Sequence, residues 1–160
     1  MSKPNKNLAL TSSVIALGST ILLFAGSSAW ADATPECNDG TGTDSTECGV
    51  GSDASGDGST AVGNNTDASG DNSVATGESS EASGTGATAV GAQSSSTGTE
   101  STAVGFQASA SSGSSTAVGG QAVANGAGAT AYGWQSNATG ERAHAFGHLA
   151  TATGDFTLAV

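Results

Sequence analysis

Small apolar residues recur through most of this chain at two nested intervals. Alanine stands at 54, 61, 68, 75, 82 and 89, gives way to Ser96, and returns at 103, 110, 117, 124, 131, 138, 145, 152 and 159. The interval is seven throughout, and Gly follows two residues after nearly every one, with Ser112 in its place once. Larger apolar residues keep twice that interval: Val62, Val90, Val104 and Val118 share a phase with Tyr132, Phe146 and Val160. Identical Ser-Thr-Ala-Val-Gly runs start at Ser59, Ser101 and Ser115, and edited copies fill the steps between and beyond them. A period this strict describes a stack of equivalent structural units.

A seven-residue interval suits a coiled coil only when large apolar residues fill two positions in seven, and here they hold Ala and Gly. Short β-rich runs between Gly, Ser, Asn and Asp clusters read instead as strand, turn, strand, turn. Each fourteen-residue unit is then one coil of a narrow, all-β solenoid. Side chains alternate along a strand, so Ala61 shares a face with Ser59 and Gly63, while Thr60 and Val62 share the other. The alanine column belongs to both strands of every coil. That places Ala61, Ala68, Ala75, Ala89, Ala103, Ala117, Ala131 and Ala145 between two walls, where only small residues fit.

The fourteen-residue column belongs to one wall only. It consists of Thr60, Val62, Val74, Thr88, Val90, Thr102, Val104, Thr116, Val118, Thr130, Tyr132, His144 and Phe146. The opposite wall turns out Asp67/Ser69, Glu81/Ser83, Ser95/Thr97, Ser109/Ser111 and Asn137/Thr139, and is polar. A continuous apolar stripe on the outside of a thin coil marks an interface. Burying one Val-sized side chain per coil contributes roughly 1.5–3 kcal/mol. The pattern therefore predicts a symmetric homo-oligomer whose apolar walls face a common axis.

Composition sharpens this picture. With 25 Gly and only 4% aromatic residues, no conventional core of large side chains can form. The same composition suits a disordered linker, but disorder needs no phase. The net charge is −11, and the basic residues are Lys3, Lys6 and Arg142 alone. That balance opposes binding to nucleic acid and to anionic membrane surfaces, because phosphate contacts require clustered Lys and Arg, and no nucleic-acid partner is expected.

Residues 1–31 read as an export signal: a positive start at Lys3 and Lys6, an apolar stretch from Leu8 to Ala25, and the cleavage pattern Ala29-Trp30-Ala31. An uncleaved membrane anchor is the competing reading. The mature chain would begin at Asp32, with 32–44 an irregular N-terminal segment and 45–160 the repeat. Export places Cys37 and Cys48 in an oxidising compartment, so a disulfide is expected, within or between chains. Two thiols without nearby partners make a poor metal site, and no cofactor or metal is expected.

After each phase glycine comes a variable position, held by Asn64, Glu78, Ala92, Phe106, Gly120, Trp134 and His148. Phe106 and Trp134 are candidate ligand contacts, since aromatics favour binding surfaces. Packing against a neighbouring chain is the competing reading. His144 lies in the outer column, where copies related by symmetry would meet around a metal or anion, or form a hydrated interface. Asn64-Asn65-Thr66 and Asn137-Ala138-Thr139 match the glycosylation pattern by letters only. No phosphate loop or calcium-binding nonapeptide is present in the sequence.

The Ser-Thr-Ala-Val-Gly repeat resembles the Ser-Val-Ala-Ile-Gly repeat of YadA-like heads, the haemagglutinin-type repeats of trimeric autotransporter adhesins. The resemblance covers Ser45 to Val160. It implies a left-handed parallel β-roll of three chains, displayed on the outer membrane of a Gram-negative bacterium and binding host matrix, host cells or other bacteria. The Val and Ile of the family motif fall on Thr60 and Val62 and their later equivalents, so this version is more polar. Members of the family continue into a neck, a stalk and a membrane-embedded barrel. The sequence ends at Val160, one residue before the next phase glycine, and is expected to be a fragment; without an anchor the product would be secreted.

Two functions compete. One is an adhesin head, a non-catalytic binding module that works through many displayed copies and recognises a matrix or cell-surface receptor. The other is a secreted ice-binding or purely structural solenoid, in which Thr60, Thr88, Thr102, Thr116 and Thr130 form a regular ladder. An enzyme is not expected, because no nucleophile, base and orienting acid are grouped in the sequence.

Overall fold

The computed structural model describes residues 37–160; the export signal predicted at 1–31 lies outside the described residues. The described chain is an all-β solenoid of two sheets, parallel throughout except for the first strand, and it contains no helix. Sheet A has ten strands. It begins with β1 (Cys37–Asp39) and β2 (Thr46–Cys48) and continues through Thr60–Val62, Val74–Thr76, Thr88–Val90, Thr102–Val104, Thr116–Val118, Thr130–Tyr132, His144–Phe146 and Leu158–Ala159. Sheet B has six, from Glu81–Ala82 through Ser95–Ser96, Ser109–Ala110, Val123–Ala124 and Asn137–Ala138 to Thr151–Ala152. Every parallel pair is in fourteen-residue register, as in Thr116↔Thr130 and Val123↔Asn137. The isolated bridges Asp53↔Asp67 and Asp67↔Glu81 continue the same register along the second wall.

The interior is built from methyl groups and hydroxyls. Ala61, Ala75, Ala89, Ala103, Ala117, Ala131 and Ala145 of sheet A are fully buried, as are Ala68, Ala82, Ala110, Ala124 and Ala138 on the other wall. Where Ser96 interrupts the alanine column, its hydroxyl pairs with that of Ser101 at 2.6 Å, and Ser101 in turn donates to the Gly98 carbonyl at 2.6 Å. A buried polar group needs such a partner, so the column accepts serine only with its neighbours' help. In some repeats the opening serine has a second task, although the buried hydroxyls of Ser59 and Ser73 find no partner. Ser45 and Ser115 are buried at turns, and their hydroxyls donate to the carbonyl three residues earlier at 2.7 Å. Ser52, Ser80, Ser94 and Ser136 do the same at the other turn.

Each coil turns twice, and each turn uses one left-handed residue. These fall every seven positions, including Asp44, Asn65, Asn72, Ser79, Gln93, Glu100, Gln107, Ser114, Gln121, Gln135 and Arg142, all with φ of about +50° to +58°. No β-branched residue stands in that column, where one would be strongly strained. The phase glycine is required more strictly. Gly105 has φ +132°, and a Cβ there would lie 2.6 Å from the Gly119 carbonyl oxygen of the next coil.

The segment read from sequence as irregular contains a strand. β1 runs antiparallel to β2, with Cys37 opposite Cys48, and the two are joined by a disulfide. From there the chain enters the stack early: the Gly42 amide already donates to the Ala54 carbonyl at 3.1 Å. A three-residue strand made of Cys, Asn and Asp carries no apolar alternation by which it could be read in advance.

Candidate functional site

Two surfaces carry the residues singled out by sequence. The first is the outer face of sheet A, where strand alternation turns every second side chain away from the alanine interior. Thr60, Thr88, Thr102, Thr116, Thr130 and His144 are half-buried there, as are Val104 and Val118. Val62, Val74 and Val90 are each 37% exposed, and Tyr132 and Phe146 are 56% and 42% exposed. The parallel register stacks them into two continuous columns, Thr130 on His144 and Tyr132 on Phe146. The His144 and Phe146 rings are 6.2 Å apart and nearly parallel. A shallow, apolar hollow of about 270 Å³, lined by Cys48, Val50, Val62 and Asn64 with intervening glycines, lies at the N-terminal end of this region.

The second surface is the turn that follows sheet A. Phe106 is 53% and Trp134 46% exposed. Trp134 stacks on His148 with centroids 4.8 Å apart, the spacing of the coils themselves. Beside this column runs a feature that sequence reasoning missed. Gln135 donates through Nε2 to Gln121 Oε1 at 2.7 Å, Gln121 to Gln107 at 3.1 Å, and Gln107 to Gln93 at 2.8 Å. Four glutamines in one phase were visible in the sequence. Their meaning emerges only once the turn column is known to hold them in line.

Electrostatics divide the rod. Asp53, Asp67 and Glu81 lie in register on the wall of sheet B, whereas residues 101–140 carry no charged side chain. Asp57 accepts the Thr43 amide at 2.9 Å, and hydrogen bonding from the Thr43 backbone and side chain holds its carboxyl below the usual range. Among the described residues, no group of three His, Cys, Asp or Glu converges to hold a metal ion. No helix among them is long and apolar enough to cross a membrane. The threonine ladder considered for ordering water is half-buried. An exposed hydroxyl column lies instead on sheet B, at Ser55, Ser69, Ser83, Thr97, Ser111, Thr139 and Thr153.

A family model for the YadA head domain repeat matches residues 41–66, 54–80, 68–94, 82–108, 96–119, 110–136 and 138–160. The chain belongs to the YadA head repeat family. Its fold is similar to the crystal structure of the collagen-binding domain of the Yersinia adhesin YadA, with a TM-score of 0.54 and 24% identity over 76% of this chain and 68% of that one. No curated protein matches the chain. Within the YadA head repeat, the matches begin at residue 41, close to where the chain joins the parallel stack, and run to its last coil.

Proposed function

We propose that this chain is the head of a trimeric autotransporter-type adhesin, exported to the bacterial surface, which attaches the cell to extracellular matrix, host cells or other bacteria without catalysis. The observation that carries this reading is the division of the apolar residues. The interior is all methyl and hydroxyl, and the larger side chains Val62, Val74, Val90, Tyr132 and Phe146 stand outside on one face. A solenoid that keeps its large apolar groups outside needs partners to cover them. Three copies with their A sheets turned to a common axis would remove that face from water. The family assignment and the likeness to a collagen-binding adhesin domain support an adhesive role of this kind, with matrix protein as the first receptor class to try.

The test has two parts. Light scattering and sedimentation of the full chain are expected to give the mass of three chains with β-type ellipticity. Surfaces coated with collagen, fibronectin and laminin are then expected to capture the protein, or cells displaying it, on at least one coating. A folded monomer would sink the assembly, and a folded trimer that bound no matrix protein, host cell or bacterium would sink the adhesive role.

A further inference from the structure

On the outer face of sheet A the parallel strands present no carboxylate, Lys or Arg. From Thr46 and Cys48 to Leu158 the two columns hold Thr, Val, Leu and aromatic side chains and one disulfide-bonded Cys, and His144 interrupts them. His144 is half-buried, stands in register between Thr130 and Leu158, and lays its ring nearly parallel to that of Phe146 at 6.2 Å. Histidine is the one side-chain type on this face whose ordinary titration falls between about pH 5 and 8.

Among the described residues, nothing packed against this strand offers the imidazole a counter-charge. The neighbouring strand Thr130–Tyr132 brings a phenol, uncharged in that range, and Leu158–Ala159, Asn137–Ala138 and Thr151–Ala152 bring no titratable group. In the adjoining turns the charged groups are engaged elsewhere. Glu141 and Arg142 pair with each other at 3.9 Å, and Arg142 lies over the Phe156 ring at 5.6 Å. Asp155 accepts the Glu141 amide at 2.9 Å, and His148 stacks on Trp134. Asp39, opposite Thr46 in the first strand, lies at the far end of the sheet.

We propose that His144 makes the assembly sensitive to pH: three imidazoles, one from each copy, meet in one layer of the interface and loosen it when protonated. This rests on the three-copy reading above, because the layer is incomplete in a single chain. Symmetry brings the three rings to the same height on the rod. Covering the face takes them out of water with no carboxylate opposite, so an imidazolium there meets both desolvation and two like charges. The covered state disfavours the protonated form. Its contribution is therefore complete at neutral pH and is lost as pH falls through the histidine range. A solvated imidazole titrates near about pH 6.5, so at about pH 5.5 each one favours separation about tenfold and three together about a thousandfold.

The full chain is sedimented through a urea series at about pH 7.5 and about pH 5.5, a span in which ordinary carboxylates stay ionised. The quantity read is the urea concentration at which the three-chain mass is lost. For the parent it is expected to be lower at the acid pH, and dilution without urea is expected to show a dissociation constant raised by up to about a thousandfold. His144→Thr restores the residue that holds this column at Thr102, Thr116 and Thr130, and His144→Gln keeps a neutral polar group there. Both are expected to lose mass at the same urea concentration at the two pH values. His148→Gln removes the other histidine and is expected to keep the parent response. Four results would each overturn the proposal while leaving the assembly standing. These are a parent midpoint unmoved by pH, a pH response retained by His144→Thr and His144→Gln, a response abolished by His148→Gln, or neutral variants at 144 that no longer assemble at neutral pH. A parent chain that is a folded monomer at both pH values would sink the three-copy reading itself, and this proposal with it.

Discussion

Replacing Gly105 by Ala tests whether the coil spacing is set by the phase glycine. The added Cβ would stand 2.6 Å from the Gly119 carbonyl oxygen, about 0.8 Å inside ordinary contact, at a φ of +132°. An L-residue held in that conformation costs about 1–3 kcal/mol. Relieving the contact stretches the bonds that clamp neighbouring coils, Gly105 N–H to Val90 O and Gly119 N–H to Val104 O, both 2.8 Å. Each contributes about 0.5–1.5 kcal/mol. The expected loss is about 3–5 kcal/mol, which at about 2–4 °C per kcal/mol lowers the melting point by about 6–20 °C. Gly113→Ala is the matched control, because a Cβ there meets only the Thr99 carbonyl at 3.8 Å and the backbone has no positive φ. It should leave stability unchanged or raise it by about 0.4–1 kcal/mol through the unfolded state. Far-ultraviolet melts of the two variants decide the matter: if Gly105→Ala melts within about 2 °C of Gly113→Ala, the spacing is not set in this way.

Val90→Asp places a charge on the outer face of sheet A and is expected to reduce the solution mass to that of one chain; a variant that kept the parent mass would show that the face is not an interface. Trypsin has one candidate site beyond Lys6, after Arg142, and the amides of Arg142 and Ala143 are bonded to Ala127 and Gly140. The folded stack is therefore expected to resist cleavage there until heated, and rapid nicking of the native protein on a gel would contradict that. Reducing Cys37–Cys48 opens a short loop and should lower stability by about 2–3 kcal/mol. Hydrogen exchange should show the loss confined to the first coils, with protection beyond Thr60 unchanged. Because hydrogen bonds from Thr43 lower the Asp57 pKa, its contribution is complete above the unfolded value of about 3.9 and is lost as pH falls through the lower folded value. Melts of Asp57→Asn between neutral and acid pH should lack that part of the acid-side decline.

The wall-to-wall alternation was legible because period two and period fourteen agree at every coil: Ala61 inward, Thr60 and Val62 outward, repeated down the chain. The faces of Phe106 and Trp134 were likewise readable as turn positions. The glutamine ladder was not, because Gln93, Gln107, Gln121 and Gln135 pair only after the backbone supplies a left-handed residue at their step. β1 was hidden for a different reason. An antiparallel strand held by Cys37–Cys48 depends on a contact between two separate segments, and three polar letters carry no periodicity.

The alanine interior makes one coil exchangeable for another. Inside the stack no large side chain in one turn is keyed to a particular partner in the next, and Thr102–Val104 meets Thr116–Val118 as Thr116–Val118 meets Thr130–Tyr132. Inserting or deleting fourteen residues would change the length of the rod by about 4.8 Å without posing a new packing problem. Reach can thus be inherited and varied in fixed steps, while the surface each step displays is free to change on its own.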